Sequence, residues 1–183
     1  MRYRKGASHI GRCGRLVLVF LGFLLAQTAA GTAAAHTGGA VIDRIDKILI
    51  VKQERRLYLL RGEEVVGSFR IALGWQPRGP KRYEGDGRTP EGRYFVDEFL
   101  PDSAFYRAIK ISYPGPEDIA WARAMGVDPG GRIMIHGLDP ALAGWEEDHW
   151  LFNWTNGCVA VTNREMDILW RTVRLGTPVE IRP

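Results

Sequence analysis

Short β-rich runs joined by polar turns fill residues 46–73, and this pattern constrains the fold more than any other feature of the chain. The runs are rich in Ile, Leu and Val, whereas the turns carry Lys, Arg, Glu and Gly. Runs of roughly four to eight such residues, bounded by turn residues, are typical of strands that pair with their sequence neighbours. Residues 47–51, 56–60 and 65–73 are therefore predicted to form an antiparallel meander.

Further strands and two helices are predicted beyond a Gly- and Pro-rich loop at residues 74–87. The predicted strands cover residues 93–99, 105–112, 132–135, 158–161 and 178–181, and a short helix covers 117–125. A second helix follows Thr162, which has capping-box spacing to Glu165, and Gly176 ends it. Because strands dominate, the predicted fold class is mainly β: a β-sandwich or open barrel with one or two packed helices.

Residues 1–35 have the order of a secretory signal peptide. A basic start without acidic residues precedes the apolar run 16–26, and small residues follow, ending in Ala33-Ala34-Ala35. We expect cleavage after Ala35, with Ala30 as the alternative, and export to the periplasm or cell envelope. The alternative is an uncleaved membrane anchor, although the run is shorter than the roughly 20 residues of a transmembrane helix. Residues 36–45 are predicted to be a flexible lead, and residues 46–183 one globular domain.

Removal of this segment changes both the charge and the cysteine count. The whole chain has a formal charge of +4, but five basic and no acidic residues lie in the first 35, so the remainder carries −1. The basic character thus belongs to the export signal, and nothing indicates nucleic-acid binding. Of the two cysteines only Cys158 remains. A lone thiol in an exported chain is either a small buried hydrophobe or a reactive group.

A nucleophilic Cys158 needs a base and donors for an oxyanion. The candidate bases are His136, which ends an apolar strand, and His149, which lies in a charged loop and is expected to be solvated. An adjacent imidazole is expected to lower the pKa of the thiol. Gly157 tolerates positive φ, so its amide and that of Cys158 are predicted to converge on the oxyanion. These residues leave two interpretations open, a secreted Cys/His enzyme and a β-domain with a buried cysteine.

Two sequence blocks carry a resemblance to a known family. The first runs from His136-Gly137, across a gap of 18 residues, to Thr155-Asn156-Gly157-Cys158-Val159-Ala160. The second is Gly85-Asp86-Gly87-Arg88-Thr89-Pro90-Glu91-Gly92-Arg93-Tyr94. Both resemble the signature of the L,D-transpeptidase catalytic domain, also called the YkuD domain. The resemblance extends over about residues 46–182 and implies that this segment is such a catalytic domain.

The resemblance implies a reaction on peptidoglycan stem peptides, which serve as donor and acceptor. Cys158 attacks the third stem residue of a tetrapeptide, D-Ala leaves, and an amine resolves the thioester, giving a 3→3 cross-link or attaching a wall protein. His136 acts as base and then acid, oriented by a backbone carbonyl near Gly137, and the amides of Asn156, Gly157 and Cys158 bind the oxyanion. Carbapenems are implied as covalent inhibitors, and no metal or cofactor is implied.

Two departures from the family pattern bear on the second half of this reaction. Asn156 stands where many members have His, and Ala160 stands where an Arg is frequent. Hydrolysis by a carboxypeptidase on the same scaffold therefore remains an alternative, as does a catalytically silent wall-binding domain. Substrate contacts are predicted for four further residues: Thr155, Trp150, Trp145 and Tyr113.

Overall fold

The computed structural model describes residues 44–142 and 144–183. In this part of the chain there are eight strands and two α-helices. The strands are β1 Lys47–Val51, β2 Arg56–Arg61, β3 Glu64–Arg70, β4 Gly92–Ser103, β5 Tyr106–Ile111, β6 Met134–His136, β7 Val159–Ala160 and β8 Pro178–Arg182. The helices are α1 Pro116–Met125 and α2 Asn163–Thr172. The predicted signal peptide lies outside the described residues.

All eight strands form one mixed sheet in the order β3-β2-β1-β8-β4-β5-β6-β7, which confirms the mainly β class with two helices. Neighbours are antiparallel except for the pairs β1–β8 and β6–β7. The chain beyond β3 reaches the opposite edge, where Ala72 and Ala160 exchange two backbone hydrogen bonds of 3.0 Å. Through these bonds the segment after β3 pairs with β7, so the two edges of the sheet meet as in an open barrel.

The core follows from the two-residue periodicity of the strands and one face of α2. Ile48 and Ile50 on β1 are fully buried, as are alternate residues of β2. On α2, Met166 and Leu169 are fully buried, and the predicted capping box is present, with Glu165 N–H donating to Thr162 Oγ1 at 3.2 Å. Ile45 belongs to this core, so the packed domain already includes the last residue of the predicted flexible lead, residues 36–45.

Helix α1 also matches its prediction. Pro116 occupies its first turn, and Gly126 ends it in the left-handed conformation with φ of 68°. Among the described residues, no helix has both the length and the apolar composition that crossing a membrane requires.

Candidate active site

The parallel pair β6–β7 brings His136 and Cys158 to the same face of the sheet. In its register, Ile135 lies opposite Val159 and His136 opposite Ala160. Cys158 directly precedes β7 and is two residues from Ala160, so it shares the face of Ala160 and lies diagonally across from His136. Diagonal neighbours on adjacent strands are within reach of long side chains. This edge of the sheet therefore carries a thiol and an imidazole as diagonal neighbours on one face.

The imidazole of His136 is held by a backbone carbonyl and by two aromatic rings. Its Nδ1 lies 2.7 Å from the Gly137 carbonyl oxygen, which only accepts, so Nδ1–H donates and Nε2 keeps its lone pair. Phe105 stacks on the ring at 4.8 Å between centroids, and Trp154 meets it edge-on at 5.6 Å. Burial lowers the pKa of His136 below 6.5, although the Gly137 carbonyl opposes the shift. His136 is thus neutral at pH 7 with Nε2 able to accept a proton.

The Cys158 thiol is also neutral at pH 7. Burial raises its pKa above 9.0, while a backbone hydrogen bond from Met134 and the charge of Lys81 oppose this shift. Its Sγ lies 3.7 Å from the Arg132 carbonyl oxygen, an acceptor that favours the protonated thiol. The expected lowering of the pKa by an imidazole is therefore wrong for the resting site, because desolvation dominates.

Thr155 stabilises the turn that presents Cys158. Its hydroxyl donates to the Cys158 carbonyl oxygen at 2.7 Å and accepts from the Gly157 N–H at 3.2 Å. The hydroxyl is engaged inside the turn, but its oxygen keeps a second lone pair, so the predicted substrate contact of Thr155 stays a prediction. The Gly157 amide is engaged in the same way, so the oxyanion donors that remain among the three predicted are the amides of Asn156 and Cys158.

Gly157 allows the second sequence block to pack directly against the nucleophile turn. Its φ is 129°, and a Cβ at this position would lie 2.6 Å from the Arg88 carbonyl oxygen. Gly74 fits as tightly, since a Cβ there would lie 2.2 Å from the Gly87 carbonyl oxygen and 3.1 Å from Gly157 Cα. Side chains at these positions would push the turn away from the loop. This close approach is the structural reason for glycine at positions 74 and 157.

A buried ion pair fixes the loop that carries this second block. Lys81 Nζ lies 2.9 Å from Asp86 Oδ1, and both side chains are almost completely buried. Asp86 also accepts backbone N–H groups of Arg82 and Arg88. Burial opposes ionisation of Asp86, but these donors outweigh it and hold its pKa below the ordinary 3.8. The loop is therefore a rigid support for the turn at Gly157, and sequence reasoning had assigned Lys81 no role.

The structure corrects one prediction of substrate contact and qualifies two others. Tyr113 is wrong as a substrate residue, because it is buried in the core and its hydroxyl donates to the Pro129 carbonyl oxygen at 2.8 Å. Trp150 is half-buried, with the Arg70 guanidinium 4.3 Å above its ring. Trp145 is more than half exposed and remains accessible. Of the two departures from the family pattern, Asn156 is exposed, whereas Ala160 is fully buried and presents no side chain to a substrate.

His149 is buried, and the expectation of a solvated loop histidine is wrong. The side chain is 1% exposed, and among the described residues neither ring nitrogen has a hydrogen-bond partner. Its segment is tied down by Arg55, whose Nη1 donates to the Trp150 carbonyl oxygen at 2.9 Å and to Asn153 Oδ1 at 2.7 Å. Burial lowers the pKa of His149 to about 4, and the nearby His136 adds to this shift.

The buried His149 predicts a loss of stability in acid. Its pKa is lower in the fold than the ordinary 6.5, so its contribution is complete above pH 6.5 and is lost as the pH falls towards 4. At about 1.4 kcal/mol per pH unit, the loss reaches up to about 3 kcal/mol. Urea unfolding of the wild type and of His149→Gln at pH 7 and pH 4 measures it. The wild type should lose more stability than the variant, and equal losses would contradict the assignment.

Metal ligation has no obvious place in this site. Within residues 44–142 and 144–183, no group of three or more His, Cys, Asp or Glu side chains is arranged to hold a metal ion. What the site offers is a neutral thiol, a neutral imidazole with a free Nε2, and backbone amides in the turn at Asn156 and Cys158.

Fold and site together define a closed β-sheet protein with a thiol and an imidazole on one sheet face. The family model of the L,D-transpeptidase catalytic domain (YkuD) matches residues 45–181, and the chain belongs to this family. The E. coli K12 protein YafK, provisionally named an L,D-transpeptidase, is 34% identical over 132 residues, 69% of this chain and 46% of YafK. The similarly named YqjB of Bacillus subtilis is 29% identical, over 73% of this chain and 69% of YqjB.

Solved structures show the same fold. The helical cell shape determining protein Pgp2 from Campylobacter jejuni matches with a TM-score of 0.57 at 24% identity, over 76% of this chain and 48% of Pgp2. Bd1075 of Bdellovibrio bacteriovorus matches with a TM-score of 0.53 at 22% identity, over 78% of this chain and 52% of its own. The chain thus spans about half the length of YafK and of these two proteins.

Proposed function

We propose that this protein is an exported L,D-transpeptidase that acts on peptidoglycan stem tetrapeptides through a thioester on Cys158. The observation that carries the proposal is the placement of Cys158 beside His136, whose Nδ1 is bound to the Gly137 carbonyl and whose Nε2 is free. Membership of the family supports the substrate class. The signal-like residues 1–35 support action in the periplasm or cell envelope.

The first half of the proposed cycle forms the thioester. His136 Nε2 takes the thiol proton as Cys158 Sγ attacks the carbonyl carbon of the third stem residue. The amides of Asn156 and Cys158 stabilise the negative charge that develops on the carbonyl oxygen. The carbon–nitrogen bond to D-Ala then breaks, and His136 returns its proton to the departing amine. Neutral starting groups make proton transfer part of the attack.

The second half transfers the acyl group to an amine. The amine attacks the thioester carbon, the carbon–sulfur bond breaks, and the proton lost by the amine returns through His136 to Cys158 Sγ. A second stem peptide as acceptor gives a 3→3 cross-link, and an amine of a wall protein gives its attachment. Water in this step gives a tripeptide, which is the hydrolytic alternative. Either outcome alters the wall, and a role in cell shape, as named for Pgp2, is part of the proposal.

Mass spectrometry of the products tests the proposal. The purified protein is incubated with disaccharide-tetrapeptide, and loss of D-Ala with formation of dimers supports transfer. Loss of D-Ala with tripeptide alone supports the hydrolase, and an unchanged substrate contradicts both. Incubation with meropenem should add the mass of one carbapenem to the protein, since carbapenems are proposed to acylate Cys158.

The neutral resting state predicts how Cys158 responds to pH. Only the thiolate is alkylated, and the thiol pKa lies above 9.0. The rate of alkylation by iodoacetamide should therefore rise about tenfold per pH unit from pH 7 to beyond pH 9. Quenched time courses read by intact mass give this rate. A rate that is already maximal at pH 7 would indicate a thiolate–imidazolium pair instead.

A further inference from the structure

Trp75 is a large exposed aromatic side chain beside the nucleophile turn, and neither the sequence motifs nor the proposed mechanism uses it. Its side chain is 49% exposed. The backbone N–H of Trp75 donates to the Thr155 carbonyl oxygen at 3.0 Å, and the preceding Gly74 packs against Gly157. The backbone of Trp75 is thus fixed to the turn that carries Cys158.

The indole of Trp75 packs directly on the backbone of Gly87. A Cβ at Gly87 would lie 2.1 Å from indole Cε2 and 2.5 Å from Nε1, so the ring rests directly on the glycine backbone. The loop beneath is stiffened by the buried pair of Lys81 and Asp86. One part of the ring is covered and the rest faces solvent, which makes Trp75 a rigid aromatic surface.

A polar cleft lies beside Gln76, the residue after Trp75. It has a volume of about 870 Å³, and its lining includes Gln76, Arg78 and Asn153, a size that suits a disaccharide rather than a single small ion. Lys52, at its base, is already satisfied by the Gly79 and Thr89 carbonyls and by Glu91. The groups left for a ligand are the Gln76 amide, the Arg78 guanidinium and the amide nitrogen of Asn153, whose Oδ1 already accepts from Arg55. The Gln76 amide can donate to and accept from hydroxyl and acetamido groups, whereas the guanidinium only donates.

We propose that Trp75 and this cleft form a glycan subsite for the amino-sugar disaccharide that carries the donor stem. A pyranose ring presents a flat C–H face that packs on an indole, while its hydroxyl groups and N-acetyl carbonyl reach Gln76, Arg78 and Asn153. Because the backbone of Trp75 is hydrogen-bonded to the turn that carries Cys158, a sugar bound on the indole would lie beside that turn. This inference deepens the proposed function and rests on it.

Kinetics with and without the sugar test the subsite. The ratio of kcat/KM for disaccharide-tetrapeptide to that for sugar-free tetrapeptide should fall about tenfold in Trp75→Ala and less in Trp75→Phe, which keeps a ring. Gln76→Ala should lower the same ratio. Phe95→Ala, which removes a comparably exposed aromatic from β4, is the matched control and should keep the wild-type ratio. An unchanged ratio in Trp75→Ala overturns the proposal, as does an equal fall in Phe95→Ala.

A binding experiment separates this inference from the proposed function. Saturation-transfer NMR with the peptide-free GlcNAc–MurNAc disaccharide should give a signal with the wild type that Trp75→Ala loses. Turnover of both peptides with an unchanged ratio means that the function stands and the subsite fails. Disaccharide binding that depends on Trp75, without turnover of either peptide, means that the subsite stands and the enzyme assignment fails. Absence of binding to the wild type contradicts the subsite.

Discussion

Cys158→Ala should reduce release of D-Ala from disaccharide-tetrapeptide by about 10⁴-fold or more, because loss of the attacking atom removes the covalent route altogether. Transfer and hydrolysis should fall together, since both pass through the thioester. The meropenem adduct should also disappear. Cys158 is the only cysteine in residues 36–183, so no other thiol of that segment can substitute for it.

Quantitative product analysis by mass spectrometry measures this loss, and the unfolding midpoint in urea shows whether the variant is folded. Ser68→Ala, at an exposed position of β3, is the control for a substitution of similar size away from the site. A folded Cys158→Ala protein that still releases D-Ala at more than a hundredth of the wild-type rate would contradict the proposed mechanism.

His136→Gln should lower kcat by about 10²- to 10⁴-fold, the range for loss of a positioned general base. Glutamine can still form hydrogen bonds but does not take up the thiol proton near pH 7. Alkylation of Cys158 above pH 9 should continue in the variant, because at that pH the thiolate forms without a base. The two measurements together separate loss of the base from collapse of the site.

His149→Gln is the matched control, since it makes the same substitution at the other candidate imidazole. His149 is buried without a partner among the described residues, whereas His136 is bound to the Gly137 carbonyl with Nε2 free. At pH 7, His149→Gln should therefore keep most of the activity that His136→Gln loses. A larger loss of activity in His149→Gln than in His136→Gln would indicate that His149 is the general base.

A neutral thiol beside a neutral imidazole has a consequence for selectivity. Thiolates react with many electrophiles, whereas a protonated thiol reacts only when a base takes its proton. Desolvation sets the pKa of both groups in this site and keeps both uncharged at rest. The thiol should therefore be slow to react with general alkylating agents at pH 7. A bound substrate that aligns Cys158 with His136 should react faster than these agents.

Most elements could be predicted because their signals are local. Runs of Ile, Leu and Val between polar turns predict β1 and β2, and the capping box at Thr162 predicts α2. The fold class is confirmed, and the family assignment follows from two blocks whose order along the chain is itself specific. Elimination left Cys158 as the single thiol beyond the signal-like segment, and its role as nucleophile is what the family resemblance implies.

The errors concern residues whose environment is made by distant parts of the chain. Tyr113 is next to a turn in sequence but is buried against Tyr94 of β4. His149 is surrounded by charged residues in sequence, yet Arg55 from the β1–β2 turn holds its segment down and its side chain is buried. None of these contacts leaves a periodic or regularly spaced pattern in the sequence.

The sequence by itself determined the mainly β class, the two helices, the family and the identity of the thiol, because each depends on local periodicity or on a specific order of residues. Only the tertiary structure decided that His136 and Cys158 share one sheet face, that the thiol is neutral at rest, and that Trp75 is exposed beside the nucleophile turn. The register of β6 against β7, desolvation by the core and the fit of Gly157 against Arg88 are properties of packed surfaces. They arise only when segments far apart in the chain meet.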